Sequence, residues 1–508
     1  MKFLLRLLPA VLIFILTLGC SPNPPLTPSP TVEISPPLTE TLLPESPDTF
    51  RTPTLSPDPN LALTLTPPAT EETAKPPILV IITPDGLWKI WSNGIGLYKV
   101  SDDHIIAPQN TSAMPAPGGT YAAYITGDSR LRDLTLKIIH VERGLVYSIP
   151  LALPEYAIQQ DAVQGDPDVE AARAVVERTS FAWSPNGSQL AFLGMREGPS
   201  SDVYTFSMVD FWVFTEEQAN RGVQTIRWTD GPSQGISPTW SPDGRYILHA
   251  GVNTLGTGAG YDMAGVWAVD TQTGEVLDVY KPENSGAEIF VGWQDEDTFL
   301  VHSWTPVCGN ERLRMVDILT GKTRMIWEGA FNGVAFTRVE GNGALLVSVD
   351  QYSAECKTRA GPGLFLLFGP EYIGMSTMVS EEAFLPVWSP EGRMFFARTA
   401  ENVYGIELND DVIIIRPLDA PFPGLPSVSD WWAARLVWAS QAGVWVGALD
   451  APPVQIFSSP ASLPMISPNG KTVFFIAEEG LFVAHAPDFT PQLVGEGLLG
   501  TGAFWVKP

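Results

Sequence analysis

One short segment recurs along this chain, and its recurrence narrows the fold more than any other feature. It reads Phe181-Ala182-Trp183-Ser184-Pro185-Asn186-Gly187 and leads into the apolar run Leu190-Ala191-Phe192-Leu193. It returns as Pro238-Thr239-Trp240-Ser241-Pro242-Asp243-Gly244, as Pro386-Val387-Trp388-Ser389-Pro390-Glu391-Gly392 and as Pro464-Met465-Ile466-Ser467-Pro468-Asn469-Gly470. Weaker copies sit at Pro115-Ala116-Pro117-Gly118-Gly119 and Gly292-Trp293-Gln294-Asp295. In each copy an apolar strand ends at Ser-Pro, where proline stops ladder pairing. Asn-Gly or Asp-Gly then supplies the positive φ of a tight hairpin. Each copy is a hairpin joining two buried strands.

These copies resemble the Ser-Pro-Asp-Gly repeat of TolB-like propellers, relatives of the WD-repeat blade. The resemblance implies that the segment is the innermost strand A with its turn into strand B, and that the repeat tryptophan serves packing and not chemistry. Two further β-runs follow each copy, for example Val266-Trp267-Ala268-Val269 and Val276-Leu277-Asp278-Val279. Four strands per repeat make a propeller blade. The gap from Pro390 to Pro468 is too long for one blade, and Arg435 to Trp438, Gly443 to Val446 and Val454 to Phe457 fill it. Ile78 to Ile82 begins a unit that has no strand A, while Ala503-Phe504-Trp505-Val506 is a strand A with no blade after it. The C-terminal strand is therefore expected to complete the first blade and remove the free edges. A generous count gives nine units and a strict one seven. The expected fold is all-β, a single β-propeller of about eight four-stranded blades over residues 78–508, with a split into two smaller propellers as the alternative.

The first residues set the compartment. Lys2 and Arg6 precede an apolar run, Val11 to Leu18, too short to span a bilayer, and Gly19-Cys20 follows at once. This layout resembles a bacterial lipobox, with Thr17 where the family usually carries Leu. The resemblance implies a signal peptide over 1–19 and lipidation of Cys20. Residues 20–77 are dense in Pro, Thr and Ser and nearly free of aromatics, so they cannot bury enough apolar surface to offset chain entropy. A disordered stalk is expected, extended to at most roughly 170 Å if it is polyproline II throughout. The body is expected outside the cytoplasm, tethered to a bacterial membrane through the lipid alone.

The formal net charge is -26, from 30 Lys+Arg against 56 Asp+Glu, which disfavours nucleic acid and anionic headgroups as partners. Gly231-Pro232-Ser233-Gln234-Gly235 matches a nucleophile elbow in letters only, because it lies between two blades and not at a strand-to-helix turn. The five histidines, His104, His140, His249, His302 and His485, have no metal-ligand spacing, and His249, His302 and His485 fall within β-runs. Asp295-Glu296-Asp297 and Asn409-Asp410-Asp411 lack the spacing of a calcium loop and read as solvated turns. Gly256-Thr257-Gly258-Ala259-Gly260 has no helix after it to bind phosphate and reads as a flexible loop. No metal and no cofactor are expected.

In a propeller the B-to-C and D-to-A connections emerge on one face, and the long insertions here are of those kinds: Leu151 to Arg178, Gly251 to Met263, Thr305 to Glu311, Gln351 to Pro362 and Asp419 to Asp430. The first should hold a helix capped by Asp166, with Val169, Ala172 and Val176 on one side. Loops longer than a turn requires are usually retained for recognition. The binding candidates are Tyr156 and Asp161 in that insertion and Phe422, Trp431 and Trp432 near Asp430. Cys308 and Cys356 fall in B-to-C loops of neighbouring blades and are expected to form a disulfide. The functional expectation is a monomeric, non-catalytic binding or scaffold module facing an envelope protein or glycan. The alternative is an extracytoplasmic carbohydrate-active enzyme using acidic residues on the propeller face.

Overall fold

The computed structural model describes residues 75–106, 108–119, 121–128, 133–152, 157–158, 181–196, 202–208, 225–229, 234–256, 260–281, 287–304, 311–329, 331, 333–339, 342–349, 362–368, 376–380, 384–388, 394–398, 403–409, 412–417, 429–432, 435–448 and 451–506. The chain divides into two units, Met1–Thr70 and Glu71–Pro508, and every described residue belongs to the second. The expected insertion helix lies outside these residues.

Among the described residues the strands form nine sheets. Blade 1 runs outward from its innermost strand as Gly502–Val506, Ile78–Thr83, Gly86–Trp91 and Tyr98–Ser101. Blade 2 is Tyr121–Thr126, Thr135–His140 and Leu145–Pro150, and its strand A survives as the bridge between Pro115 and Ala122. Blade 3 is Phe181–Trp183, Gln189–Leu193, Val203–Ser207 and Thr225–Arg227; blade 4 is Gln234–Trp240, Tyr246–Gly256, Gly260–Asp270 and Val276–Tyr280. Blade 5 spans Ala287–Trp293 to Thr323–Glu328, blade 6 Gly333–Val339 to Ser376–Ser380, and blade 7 Phe384–Trp388 to Val412–Pro417. Blade 8 spans Ser429–Trp432 to Ala451–Phe457, and blade 9 Ala461–Ile466 to Thr490–Glu496. The propeller thus has nine blades, the upper end of the expected range. The unit that no sequence motif marked is blade 6, whose first strand, Gly333–Val339, carries no Ser-Pro.

Period-two alternation explains why the second strand of a blade carries apolar residues on both of its faces. Ile78–Thr83 is buried along its whole length. Ile78, Val80 and Ile82 pack with Ala122, Tyr124 and Ile139 of blade 2, while Leu79 and Ile81 pack with Phe474, Ile476 and Val483 of blade 9. Thr472–Ala477 divides in the same way, with Phe474 and Ile476 toward blade 1 and Val473, Phe475 and Ala477 toward blade 8. Each such side chain contributes about 1.5–3 kcal/mol by leaving water, so the core is a series of clusters between blades. The series closes as expected: Ile78 to Ile82 pair antiparallel with Val506 to Gly502.

The repeat motif owes its recurrence to one hydrogen-bond circuit. In blade 3, Gly187 N donates to Ser184 O at 2.8 Å and Gln189 N donates to Ser184 Oγ at 2.9 Å, while Ser184 Oγ donates to Asn186 Oδ1 at 2.9 Å. Ser241, Asp243, Gly244 and Tyr246 repeat it in blade 4, and Ser467, Asn469, Gly470 and Thr472 in blade 9. Gly187, Gly244 and Gly470 have φ of 66°, 75° and 67°, the left-handed region that glycine enters without penalty. Trp183 and Trp240 pack as expected, and both also bond: Trp183 Nε1 donates to Met114 O and Trp240 Nε1 to Ala182 O, each at 3.0 Å.

The prolines at 238, 386 and 464 have their own effect. Strand A slips register between Ile236 and Thr239, between Phe384 and Val387 and between Ser462 and Met465, because proline has no N–H for the ladder.

Candidate functional site

The loop face, where B-to-C and D-to-A connections emerge, is built unevenly. Blades 8, 9 and 1 have two-residue B-to-C turns, Gln441-Ala442, Glu478-Glu479 and Pro84-Asp85. Gly443, Gly480 and Gly86 follow these turns at φ of 128°, 132° and 137°. A Cβ there would lie 1.9, 2.0 and 2.0 Å from the carbonyl oxygens of Phe457, Gly495 and Ser101. No side chain fits, so this sector stays low.

Blade 4 is the opposite case. Its second and third strands run on past the blade as a hairpin arm, paired out to Gly256 and Gly260 with register shifts near Gly251 and Val252. Gly251 to Gly256 and Gly260 to Met263 are therefore ladder and not loop. Ala157 and Ile158, from the insertion after blade 2, pair in parallel with Thr254 and Leu255 of the arm. The edge they use lies beyond the reach of strand A, whose pairing stops at Gln234 opposite Val252.

Where blades 1 and 2 meet, the loop face carries a polar cluster. Asp103, in the connection leaving Tyr98–Ser101, accepts from Ser101 Oγ, from Tyr124 OH at 2.8 Å and from Lys137 Nζ. Burial pushes the Asp103 carboxyl up, but the bonds from Lys137, Ser101 and Tyr124 outweigh it and hold the group below its ordinary value. Burial raises the Tyr124 phenol well above its usual range. Nearer solvent, Lys99 Nζ lies 2.6 Å from Asp102 and 3.4 Å from Asp85. A hydrogen bond from Thr83 holds Asp85 below its ordinary value. Asp103 fastens the two blades, while Asp85 and Asp102 stay exposed, each paired with Lys99.

In blade 3 the buried Asp202 accepts from Thr229 Oγ1 at 2.9 Å and pairs with Arg227. Between blades 4 and 5 the buried Arg314 donates to Tyr280 OH at 2.5 Å. The first contacts tie two strands within blade 3, and the second joins blades 4 and 5.

The opposite face, made of A-to-B and C-to-D turns, carries Asp243, Asp270, Asp295, Asp297 and Asp317 around Arg245. Arg245 donates to Asp270 Oδ2 at 2.7 Å. Burial and then the neighbouring Asp295, Asp243 and Asp317 raise the Asp297 carboxyl above its ordinary value. Asp270 and Asp317 each accept from the backbone amides two and three residues on, and Gly274 and Gly321 close their turns. Among the described residues no group of three or more His, Cys, Asp or Glu is arranged to hold a metal ion.

Of the residues singled out from sequence, Tyr156, Asp161, Phe422, Cys20, Cys308 and Cys356 lie outside the described residues. Trp431 and Trp432 do not sit in the connection before blade 8; they end its innermost strand, opposite Leu436 and Arg435. Gln234 opens a strand, so no helix follows Ser233. His249, His302 and His485 lie in strands as expected. The cluster at Asp103 escaped the sequence reading, since Lys137 and Tyr124 meet Asp103 only through sheet register. The C-to-D turns had a visible signal, the spacing shared by Asp270-Thr271-Gln272-Thr273-Gly274 and Asp317-Ile318-Leu319-Thr320-Gly321.

No family model matches this chain, and no curated protein matches it in sequence. Solved structures do resemble it. A eukaryotic initiation factor matches at a TM-score of 0.51 with 12% identity, over 86% of this chain and 100% of that one. An oligogalacturonate lyase in complex with manganese matches at 0.35 with 13% identity, over 60% of this chain and 88% of that one. A prolyl endopeptidase matches at 0.38 with 11% identity, over 73% of this chain and 54% of that one. The likeness is one of fold. It corrects one expectation: because enzymes stand among the similar structures, the chain is not to be set down as a non-enzyme on the strength of its propeller.

Proposed function

We propose that this protein is an extracytoplasmic propeller, held to a bacterial membrane through Cys20, that takes a glycan at its loop face and acts on it. The uneven loop face carries this reading: a hairpin arm rises from blade 4, while blades 8, 9 and 1 are kept low by glycine. Such a step gives an extended polymer a wall to lie against and an open side to enter from. Asp85 and Asp102, exposed beside the low sector, are carboxylates of the kind that bond sugar hydroxyls and carry acid and base roles in glycoside chemistry. The net charge of -26 narrows the substrate to neutral or cationic glycans, since polyuronates would be repelled. A disulfide between Cys308 and Cys356 belongs to the same proposal, as a staple between neighbouring B-to-C connections.

The test uses the full chain with Cys20→Ser, which should be secreted free of the membrane. Binding to neutral cell-wall and plant glycans, and release of reducing ends from them, are measured together. Replacing residues 252–262 by a two-residue turn should weaken binding by roughly tenfold or more without unfolding the body. Asp85→Asn and Asp102→Asn should lower product release. Neither binding nor release with any neutral or cationic glycan, or capture of a protein partner alone, would overturn the reading.

A further inference from the structure

Asn186 stands in the A-to-B turn of blade 3, on the face opposite the loops, and its side chain is exposed. Three donors converge on one of its atoms: Ser184 Oγ at 2.9 Å, Ser188 N at 3.0 Å and Ser188 Oγ at 2.7 Å all bond to Oδ1. The carboxamide is thereby fixed. Among the described residues its Nδ2 has no hydrogen-bond partner, so the amide nitrogen is turned out to solvent. Gly187 cannot be exchanged for a larger residue, because a Cβ there would meet Pro117 O at 2.4 Å.

The equivalent turns show what is special here. Blade 4 has Asp243-Gly244-Arg245 and blade 9 has Asn469-Gly470-Lys471. The first lacks the amide, and the second lacks a hydroxyl two residues on. Asn186-Gly187-Ser188 has both, and the Ser188 hydroxyl is bonded to the Asn186 side chain. Asn-x-Ser is the acceptor pattern for N-linked glycans in exported proteins. A second triplet, Asn110-Thr111-Ser112, falls in the 3-10 helix Pro108–Ala113, where no such turn is formed.

We infer that Asn186 is an acceptor for an N-linked glycan, on a surface remote from the loop-face site. The donor is an oligosaccharide carried on a lipid pyrophosphate. Asn186 Nδ2 attacks the anomeric carbon, the bond from that carbon to the pyrophosphate oxygen breaks, and a proton leaves Nδ2 as the lipid pyrophosphate departs. The hydrogen bonds on Oδ1 hold the amide in place for attack, and the turn needs no rearrangement, since only Oδ1 belongs to its circuit. This assignment rests on the extracytoplasmic reading.

The full chain is purified from the envelope of the cells that produce it and digested, and the peptides bearing Cys20, Asn110, Asn186 and Asn469 are weighed by mass spectrometry. Sugar is expected on Asn186 and absent from Asn110 and Asn469. Ser188→Ala should abolish it, and Asn186→Asp should do so with unchanged thermal stability, as Asp243 fills that place in blade 4. Lys471→Ser should gain a second glycan at Asn469. A lipidated Cys20 peptide together with an unmodified or merely deamidated Asn186 would overturn the acceptor assignment while leaving the export reading intact. An unlipidated, unprocessed N-terminus would overturn the export reading, and the acceptor assignment with it.

Discussion

Trp240 reaches across a blade boundary to bond the backbone of Ala182, its Nε1 3.0 Å from the carbonyl oxygen. The same bond joins Trp183 to Met114 one blade earlier. Trp293, in the next blade, is equally buried but its Nε1 has no hydrogen-bond partner among the described residues. The repeat tryptophan thus packs in all three places and bonds in two. Trp240→Phe should cost about 1 kcal/mol more than Trp293→Phe, the net value of one hydrogen bond. Urea unfolding of the two variants decides this, and equal losses would show that the bond contributes nothing beyond packing.

His249 and His302 make stability depend on pH. Burial holds both imidazoles at a pKa of about 4, well below the ordinary 6.5. His249 stacks on Trp267 and His302 lies against Phe331, and neither environment welcomes a charge. Both groups are neutral in the folded and unfolded chain above pH 6.5, so the stability they allow is complete there. As pH falls from about 6.5 to about 4 the unfolded chain takes up protons that the folded chain refuses, and stability drops by on the order of 3 kcal/mol for each group. Below about 4 their contribution is exhausted. Unfolding free energies at pH 7 and pH 5 should differ clearly in the native chain and by less in His249→Gln; an unchanged difference would exclude His249 as a cause.

Gly292 and Gly118 should both lose stability on replacement by alanine, but for different physical reasons. A Cβ on Gly292 would sit 2.2 Å from Phe336 Cδ1, a contact between the innermost strands of blades 5 and 6. Gly292→Ala should cost about 1–3 kcal/mol through overpacking. Gly118 has open space around it but a φ of 61°, so Gly118→Ala should cost only about 1 kcal/mol of backbone strain. Truncating the ring with Phe336→Leu should recover part of the loss in Gly292→Ala and none in Gly118→Ala, which thermal unfolding of the double variants will show.

What was legible in the sequence follows from how far its causes act. The Ser-Pro-Asn-Gly turns are made by residues within five positions of one another, so the motif reports its own structure. The closure was legible because Ile78 to Ile82 and Ala503 to Val506 are fragments of complementary kind. Blade 8 was harder to count, since Arg435 to Ser440 follows Trp432 without a Ser-Pro turn. The polar cluster was not legible at all, because Asp103 and Lys137 are brought together by the pairing of Tyr124 with Lys137. Trp431 and Trp432 were misplaced for a related reason: an aromatic pair after a Pro-rich stretch reads as an exposed connection until the ladder opposite Leu436 is seen.

The closing strand yields the most decisive test of the architecture. Phe504 and Val506 enter the cluster shared with blade 2, and Ala503 and Trp505 enter the one shared with blade 9, so Gly502–Val506 seals two blade boundaries at once. Phe504→Ala should cost about 3–5 kcal/mol, the usual loss for a buried aromatic ring. Deleting residues 502–508 should do more than that. It strips Ile78–Thr83 of a ladder partner along five paired positions and leaves an apolar edge open to other copies of the chain. The deleted chain should therefore associate at concentrations where the full chain does not, and a peptide matching residues 500–508 should suppress that association by refilling the edge. Analytical ultracentrifugation with and without the peptide reads both effects. If the deleted chain stays monomeric and unfolds at the midpoint of the full chain, the C-terminal strand is not what closes the propeller.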